Sequence, residues 1–138
     1  MFTKECVRRI LIYMLQDAGF DLTYRLFKNN HTVDEDSDLA DFTESDFTGY
    51  AALSGVAEPA VTVNVDDEAN SLGNTLTWTA SADLTPPQQA FGMYVTFEDH
   101  VGDTRLFFAW NFSSPTTLAF NGDKVEKKVD WYCRDYPP

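Results

Sequence analysis

This chain predicts a mainly β fold: an antiparallel β-sandwich or barrel, jelly-roll-like, preceded by one amphipathic helix. Three observations carry that reading. Apolar and polar side chains alternate over short runs, as in Leu76, Trp78 and Ala80 against Thr75, Thr77 and Thr79, which is the period of a half-buried strand. Aromatic residues are abundant, with 11 Phe, 6 Tyr and 3 Trp, and such side chains suit strands and bury large areas. Turn formers, among them Asn29-Asn30, Pro86-Pro87, Gly102 and Asn121-Gly122, punctuate the runs at the spacing of sandwiches and barrels. A length of 138 residues fits one domain with a real core. The expected division is a helix over 4–18, a β-sandwich over 21–132 and a tail over 133–138.

The elements follow in order. Thr3 can cap a helix, and Val7, Ile10, Leu11, Met14 and Ala18 form one apolar stripe before Gly19. Leu22 to Phe27 reads as a strand ended by Asn29-Asn30, which tolerate left-handed geometry. Residues 31–41 are too acidic and irregular to predict an element. Thr43 to Phe47 predicts one helical turn, with Thr43 as cap, that brings Phe42 and Phe47 onto the body of the domain. Gly49 then frees the backbone for a sharp exit. Ala60 to Val65 predicts a strand, Asp66 to Asn74 a polar loop, and Thr75 to Ala80 a second strand. Pro86-Pro87 marks a stiff connection. Phe91 to Phe97 predicts a strong strand, and His100 to Asp103 a turn. Arg105 to Phe112 is nearly all apolar, which predicts a central strand buried on both faces, broken at Pro115. Leu118 to Phe120, the Asn121-Gly122 turn and Lys124 to Trp131 read as a short strand, a tight turn and a last strand.

The net charge of −12 is unevenly placed. Residues 29–104 hold fifteen Asp or Glu and no Lys or Arg. Such a stretch does not neutralise a phosphate backbone and is repelled by an anionic membrane, so neither nucleic acid nor membrane is an expected partner. No apolar run is long enough to span a bilayer. The segment after Arg8-Arg9 mimics a signal peptide, but its apolar part is only Ile10 to Leu15 and no small-residue cleavage site follows. Cys6 and Cys133 are too few for a disulfide scaffold. Two free thiols are the expectation, although pairing between the ends of a compact domain stays open.

No motif requires an enzyme, a cofactor or a metal. His31 and His100 have no second His or Cys at ligand spacing. Asp34, Asp36 and Asp38 alternate as in a calcium loop, but the glycine at position six is missing and position twelve is Ser45 rather than glutamate. Fifteen carboxylates offer many pairs and no specific glycosidase pair. Nucleophile-elbow and phosphate-loop patterns are absent. Asn30-His31-Thr32 and Asn111-Phe112-Ser113 match glycosylation sequons, which carry no meaning in a bacterium. Trp78, Trp110, Trp131, Tyr94 and Tyr132 could stack sugars, but rings on strands are more often core. Trp131-Tyr132, after a charged strand, is the pair expected nearest a surface.

The segment Leu26 to Ala51, with L-F-K-N-N, an acidic loop, A-D-F-T-E and F-T-G-Y, resembles a segment of small structural proteins of tailed bacteriophages. F-G-M-Y-V-T-F (91–97), L-F-F-A-W-N-F (106–112) and the Asn121-Gly122-Asp123 turn look like that family's paired strands and final turn. The pattern covers most of residues 4–130, and its first third is the specific part. The acidic loop is richer than the family pattern, and the tail W-Y-C-R-D-Y-P-P is extra. The resemblance implies a non-enzymatic virion protein made in the bacterial cytoplasm. A capsid decoration (cement) protein, often a homotrimer that binds the major capsid protein, is the expected role. Arg8, Arg9, Ile10, Leu11 and Met14, with Trp131 and Tyr132, are the expected protein-interface residues. The alternatives are a tail-fibre or receptor-binding module and a carbohydrate-binding domain or small hydrolase.

Overall fold

Period-two alternation becomes strand in the computed structural model, which describes residues 21–57, 61–63 and 69–133. Six strands lie among them: β1 (Thr23–Phe27), β2 (Thr62–Val63), β3 (Ala69–Thr79), β4 (Gln88–Glu98), β5 (Thr104–Leu118) and β6 (Lys124–Cys133). They form two antiparallel three-stranded sheets, in the orders β1-β4-β5 and β2-β3-β6. The protein is mainly β, as expected, but the sheets are not closed into a barrel. The expected helix over 4–18, with Cys6, lies outside the described residues, as does the tail beyond Cys133. Two compact units emerge from the packing, one of residues 21–56 with 77–126 and one that includes, among the described residues, 57, 61–63, 69–76 and 127–133.

In the first sheet β4 is the central strand. It pairs with β1 from Thr23↔Thr96 to Phe27↔Gly92 and with β5 from Gln88↔Leu118 to Glu98↔Thr104. Partners on both sides leave Ala90, Met93, Tyr94, Val95 and Thr96 buried. The sequence expectation had put Arg105–Phe112 in that central place. That segment instead lies in β5, the outer strand, and its Phe108 is 52% exposed. An apolar run reports contact on the sheet's faces and says nothing of lateral neighbours, so it does not rank strands across a sheet.

Pro115 does not break the chain either. It sits inside β5, where the pairing jumps from Ala90↔Thr116 to Gly92↔Asn111. The residues between leave the ladder opposite Phe91, so no partner needs the N–H that proline lacks.

The expected loop over 66–74 gives way to strand from Ala69 onward. Gly73 is the reason it can: a Cβ there would overlap the Val129 carbonyl, while its N–H donates to Asp130 Oδ1 at 2.9 Å. A close approach of two backbones, rather than a turn, explains this glycine. Downstream the expected alternation holds, with Leu76, Trp78 and Ala80 buried and Thr75, Thr77 and Thr79 exposed. Of the expected strand over 60–65, the described part is Thr62–Val63, paired with Asn70 and Ala69.

Gly92 has the same logic as Gly73 at the centre of the first sheet. A methyl group there would meet the Trp110 carbonyl oxygen and the Phe27 ring. Both neighbours are fixed, one by the β4–β5 ladder and one by the core. Gly92→Ala is expected to destabilise the fold by about 3 kcal/mol through overpacking, read as a lowered urea midpoint with an unchanged slope.

Candidate functional site: the strap and the outer strand

The segment after β1 forms a strap that turns back along β1's outer edge. Asn29 starts it by bridging the two limbs. Its Nδ2 donates to the Asp41 carbonyl at 2.7 Å, and its Oδ1 accepts from Thr43 N–H at 2.7 Å. Between those points lies the acidic stretch expected to have no element. It holds a short 3-10 turn, Leu39–Asp41, with a capping box. Asp38 Oδ1 accepts from Ala40 N–H and Asp41 Oδ2 accepts from Asp38 N–H, both at 2.8 Å. Asp34 Oδ1 accepts from Asp36 N–H and from the Ser37 hydroxyl. Asp34 and Asp38, two of the alternating aspartates, thus close turns of the backbone. Among the described residues no three His, Cys, Asp or Glu side chains gather as a metal site. His31 packs edge-on against Phe42 and lies 3.0 Å from the Ser37 hydroxyl.

Residues 43–47 are not the expected helical turn. They run extended, and Glu44 bridges to Phe27. The helical reading failed because β1 offers this segment a ladder. Lys28 N–H donates to the Thr43 carbonyl, Ser45 N–H to the Leu26 carbonyl, and Tyr24 and Leu53 exchange two hydrogen bonds of 2.8 and 3.0 Å. The one outward N–H left between these contacts, on Leu26, donates to the Tyr50 hydroxyl at 3.1 Å. Tyr50 in turn donates to Glu44 Oε1 at 2.8 Å, and Arg25 Nη1 holds Glu44 Oε2 at 2.7 Å. Arg25 Nε reaches Thr96 Oγ1 on the central strand. Phe42 and Phe47 are buried, as expected, and Phe42 stacks on Tyr94 with Phe27 alongside. Gly49 takes φ +94° against Ser81 and Thr79, which a side chain would overlap.

Burial raises both tyrosines of this network. Desolvation is the main cause at Tyr50, where Glu44 adds to it, so the phenol stays protonated well past the ordinary range. Tyr94 is pushed up to about 12 by burial first and by Glu44 second. Lys28 Nζ donates to Asp46 Oδ2 at 2.6 Å and, chiefly through that bond, holds its carboxyl below the usual value.

The opposite edge of the sheet, β5, differs in character. The exposed large hydrophobics among the described residues are Val101, Phe108 and Phe120, at 66%, 52% and 67%. All three lie on β5 or on the turns that bound it. Phe108 leans on half-buried Trp110, with ring centroids 5.6 Å apart. On the other face, an open groove of about 470 Å³ separates the acidic turn from the start of β5. Asp38, Leu39, Ala40, Arg105 and Leu106 are among its walls. Arg105 is held by Asp99 at 2.9 Å and Asp103 at 3.0 Å. Asn111 braces the loop across β5, donating to the His31 carbonyl and accepting from Val33 N–H.

The expected interface residues fare unevenly. Arg8, Arg9, Ile10, Leu11 and Met14 lie outside the described residues. Trp131 is on β6 and buried, 8% exposed, so its ring belongs to the interior and not to the surface expected for it. Tyr132 follows it on β6, and its side chain is not described. Trp78 and Tyr94 are core, as the strand reading expects. Sequence reasoning missed Phe108 and Phe120 as surface residues. The adjacent Asn121-Gly122 turn was a signal for Phe120, since a turn flank is exposed; Phe108 had none.

No protein-family model, curated protein or solved structure matches this chain. Among the described residues no helix is long and apolar enough to cross a membrane.

Glu44→Ala is expected to cost about 2 kcal/mol, because it strips a charged acceptor from Arg25 and Tyr50 at once, measured by urea denaturation at neutral pH. The tyrosines add a pH dependence. A phenol whose folded value lies above its unfolded value of about 10 stabilises the fold fully below pH 10. That stabilisation is lost as pH rises toward 12 for Tyr94, because the unfolded chain ionises first. Urea midpoints should therefore fall across that window, and less steeply in Tyr94→Phe.

Proposed function

We propose that this chain is a bacteriophage virion structural protein, a capsid decoration (cement) protein that binds the major capsid protein shell. In this reading it is made in the host bacterial cytoplasm, works as a homotrimer and ends in the virion. A jelly-roll-like sandwich is the arrangement proposed for its sheets. It carries no catalytic task.

The strap is the observation that carries the proposal. The segment that resembles phage structural proteins is the one whose side chains close β1. Leu26 and Phe27 are core, Asn29 bridges the limbs, and Asp41 closes the capping box. Phe42 and Phe47 anchor the strap, Glu44 and Tyr50 join it to β1, and Gly49 turns it out. These residues serve rigidity, which is what a passive building block requires. Burial of Trp78, Tyr94 and Trp131 supports the same reading against a glycan platform. An apolar outer strand supports adhesion to another protein, and many copies on a shell multiply modest contacts. The alternative, a tail-fibre or carbohydrate-binding module, draws on the Phe108–Trp110 pair.

The test is location. Antibodies against the purified chain should label the heads of density-banded particles of the encoding virus, with the chain present in many copies per particle. A chain that stays in the soluble lysate while particles band without it sinks the proposal. Labelling confined to tails transfers it to the alternative.

A further inference from the structure

We infer that Asn121-Gly122 is a latent deamidation site, kept unreactive by the folded corner around it, and that its conversion marks irreversibly that the corner has opened. This goes beyond the adhesive role proposed above and does not depend on it.

The chemistry starts from the pair itself. Asn121-Gly122 is the one Asn-Gly in the chain. Glycine carries no Cβ to shield its nitrogen, so a preceding asparagine is open to attack by the backbone. Both residues are exposed, so water and hydroxide reach them. In the reaction the Gly122 nitrogen gives its proton to hydroxide and attacks Asn121 Cγ. An N–Cγ bond forms, the bond from Cγ to the side-chain nitrogen breaks, and ammonia leaves with a proton taken from water. Water then opens the cyclic imide. Cleavage at Cγ leaves aspartate. Cleavage at the Asn121 main-chain carbonyl leaves isoaspartate, in which the backbone runs through the side chain. No oxidant or reductant enters.

The fold withholds the nucleophile. Gly122 N–H donates to the Ala80 carbonyl at 2.8 Å, and Ala80 N–H donates to the Asp123 carbonyl at 2.8 Å. Ala80 is buried, so both bonds are anchored in the core. Asp123 N–H donates to the Phe120 carbonyl at 3.0 Å and closes the turn, with Gly122 at φ +91°. Carboxylates brace the same turn. Asp123 Oδ2 accepts from the Ala119 and Phe120 N–H groups at 2.7 and 2.8 Å, and Asp83 Oδ1 accepts from Asn121 N–H at 2.9 Å. To reach Cγ the Gly122 nitrogen must rotate about Asn121 ψ, which turns its N–H away from Ala80 and breaks that bond. The reaction therefore proceeds from an opened corner, whose population sets the rate. Both products oppose reclosure. Aspartate puts a further carboxylate beside Asp83 and Asp123, and like charges repel. Isoaspartate adds a methylene to the main chain between Asn121 and Gly122, so Ala80 no longer meets both Gly122 and Asp123 in register.

The experiment ages the full chain in mildly alkaline buffer, folded or unfolded in guanidinium chloride. Asn121 is followed by peptide mass spectrometry and by enzymatic methylation of isoaspartate. Its deamidation is expected to be at least about tenfold slower in the folded chain. Asp83→Ala, which frees the Asn121 N–H, should speed it in the folded chain and leave the unfolded rate unchanged. Asp83→Asn, which keeps an acceptor oxygen, should restore the slow rate. Should Asp83→Ala not fold, the wild type in guanidinium chloride below its unfolding transition serves instead: loss of Asn121 should rise in step with hydrogen exchange at the Gly122 amide. Refolded chains carrying isoaspartate should unfold at a lower urea midpoint. Equal rates in the folded and unfolded chain overturn the inference, as does a Gly122 amide that exchanges as freely folded as unfolded. An Asn121 that stays intact in the unfolded chain overturns it too, because the site is then unreactive. An unchanged midpoint overturns the irreversible marking.

Discussion

The structure around β1 depends on one constraint: the outward backbone groups of an outer strand must find partners. β1 is five residues long, and its outer side would expose a row of donors and acceptors. The strap answers that row group by group. Leu53 takes Tyr24, Ser45 and Thr43 take Leu26 and Lys28, and the Tyr50 hydroxyl fills the gap at the Leu26 N–H. A hydroxyl serves where a second strand would not fit, because it accepts from the backbone and donates onward to Glu44.

That closure sets much else in the unit. Glu44 stands where Arg25 and Tyr50 both reach it, so a half-buried carboxylate is satisfied on both oxygens. Arg25 extends the network to Thr96 on the central strand, tying strap and sheet together. Phe42 is carried over the sheet to stack on Tyr94, and its neighbours Val33 and Leu39 complete the cluster with Leu106 and Ala109. The acidic turn is consequently pinned beside β5, and the groove there follows from it. The strap that covers β1 also builds the wall of the groove along β5.

The two margins of the first sheet differ in what lies along them. The strap lies along β1, and exposed Phe108 lies on β5, with exposed Val101 and Phe120 on the turns at its two ends.

Strand periodicity was legible in the sequence because it is local. Leu22–Phe27, Thr75–Ala80, Phe91–Phe97 and Lys124–Trp131 each alternate within their own few residues, and each became strand. The turns at Gly102 and Gly122, with φ of 87° and 91°, were legible for the same reason. Lateral order was not. Whether Arg105–Phe112 lies inside or outside the sheet depends on which strand β4 pairs with next, a contact between distant segments that no local pattern records. Residues 43–47 carry turn chemistry yet run extended because β1 supplied hydrogen bonds from distant positions, as between Lys28 and Thr43 or Leu26 and Ser45. Gly73 reads as a loop residue until Val129 is beside it. The sequence by itself determined the β class, the aromatic core and the acidic bias, which follow from composition and period. Tertiary structure alone decided which edge is sealed and which rings reach the surface, because both depend on partners that meet only when the chain has folded.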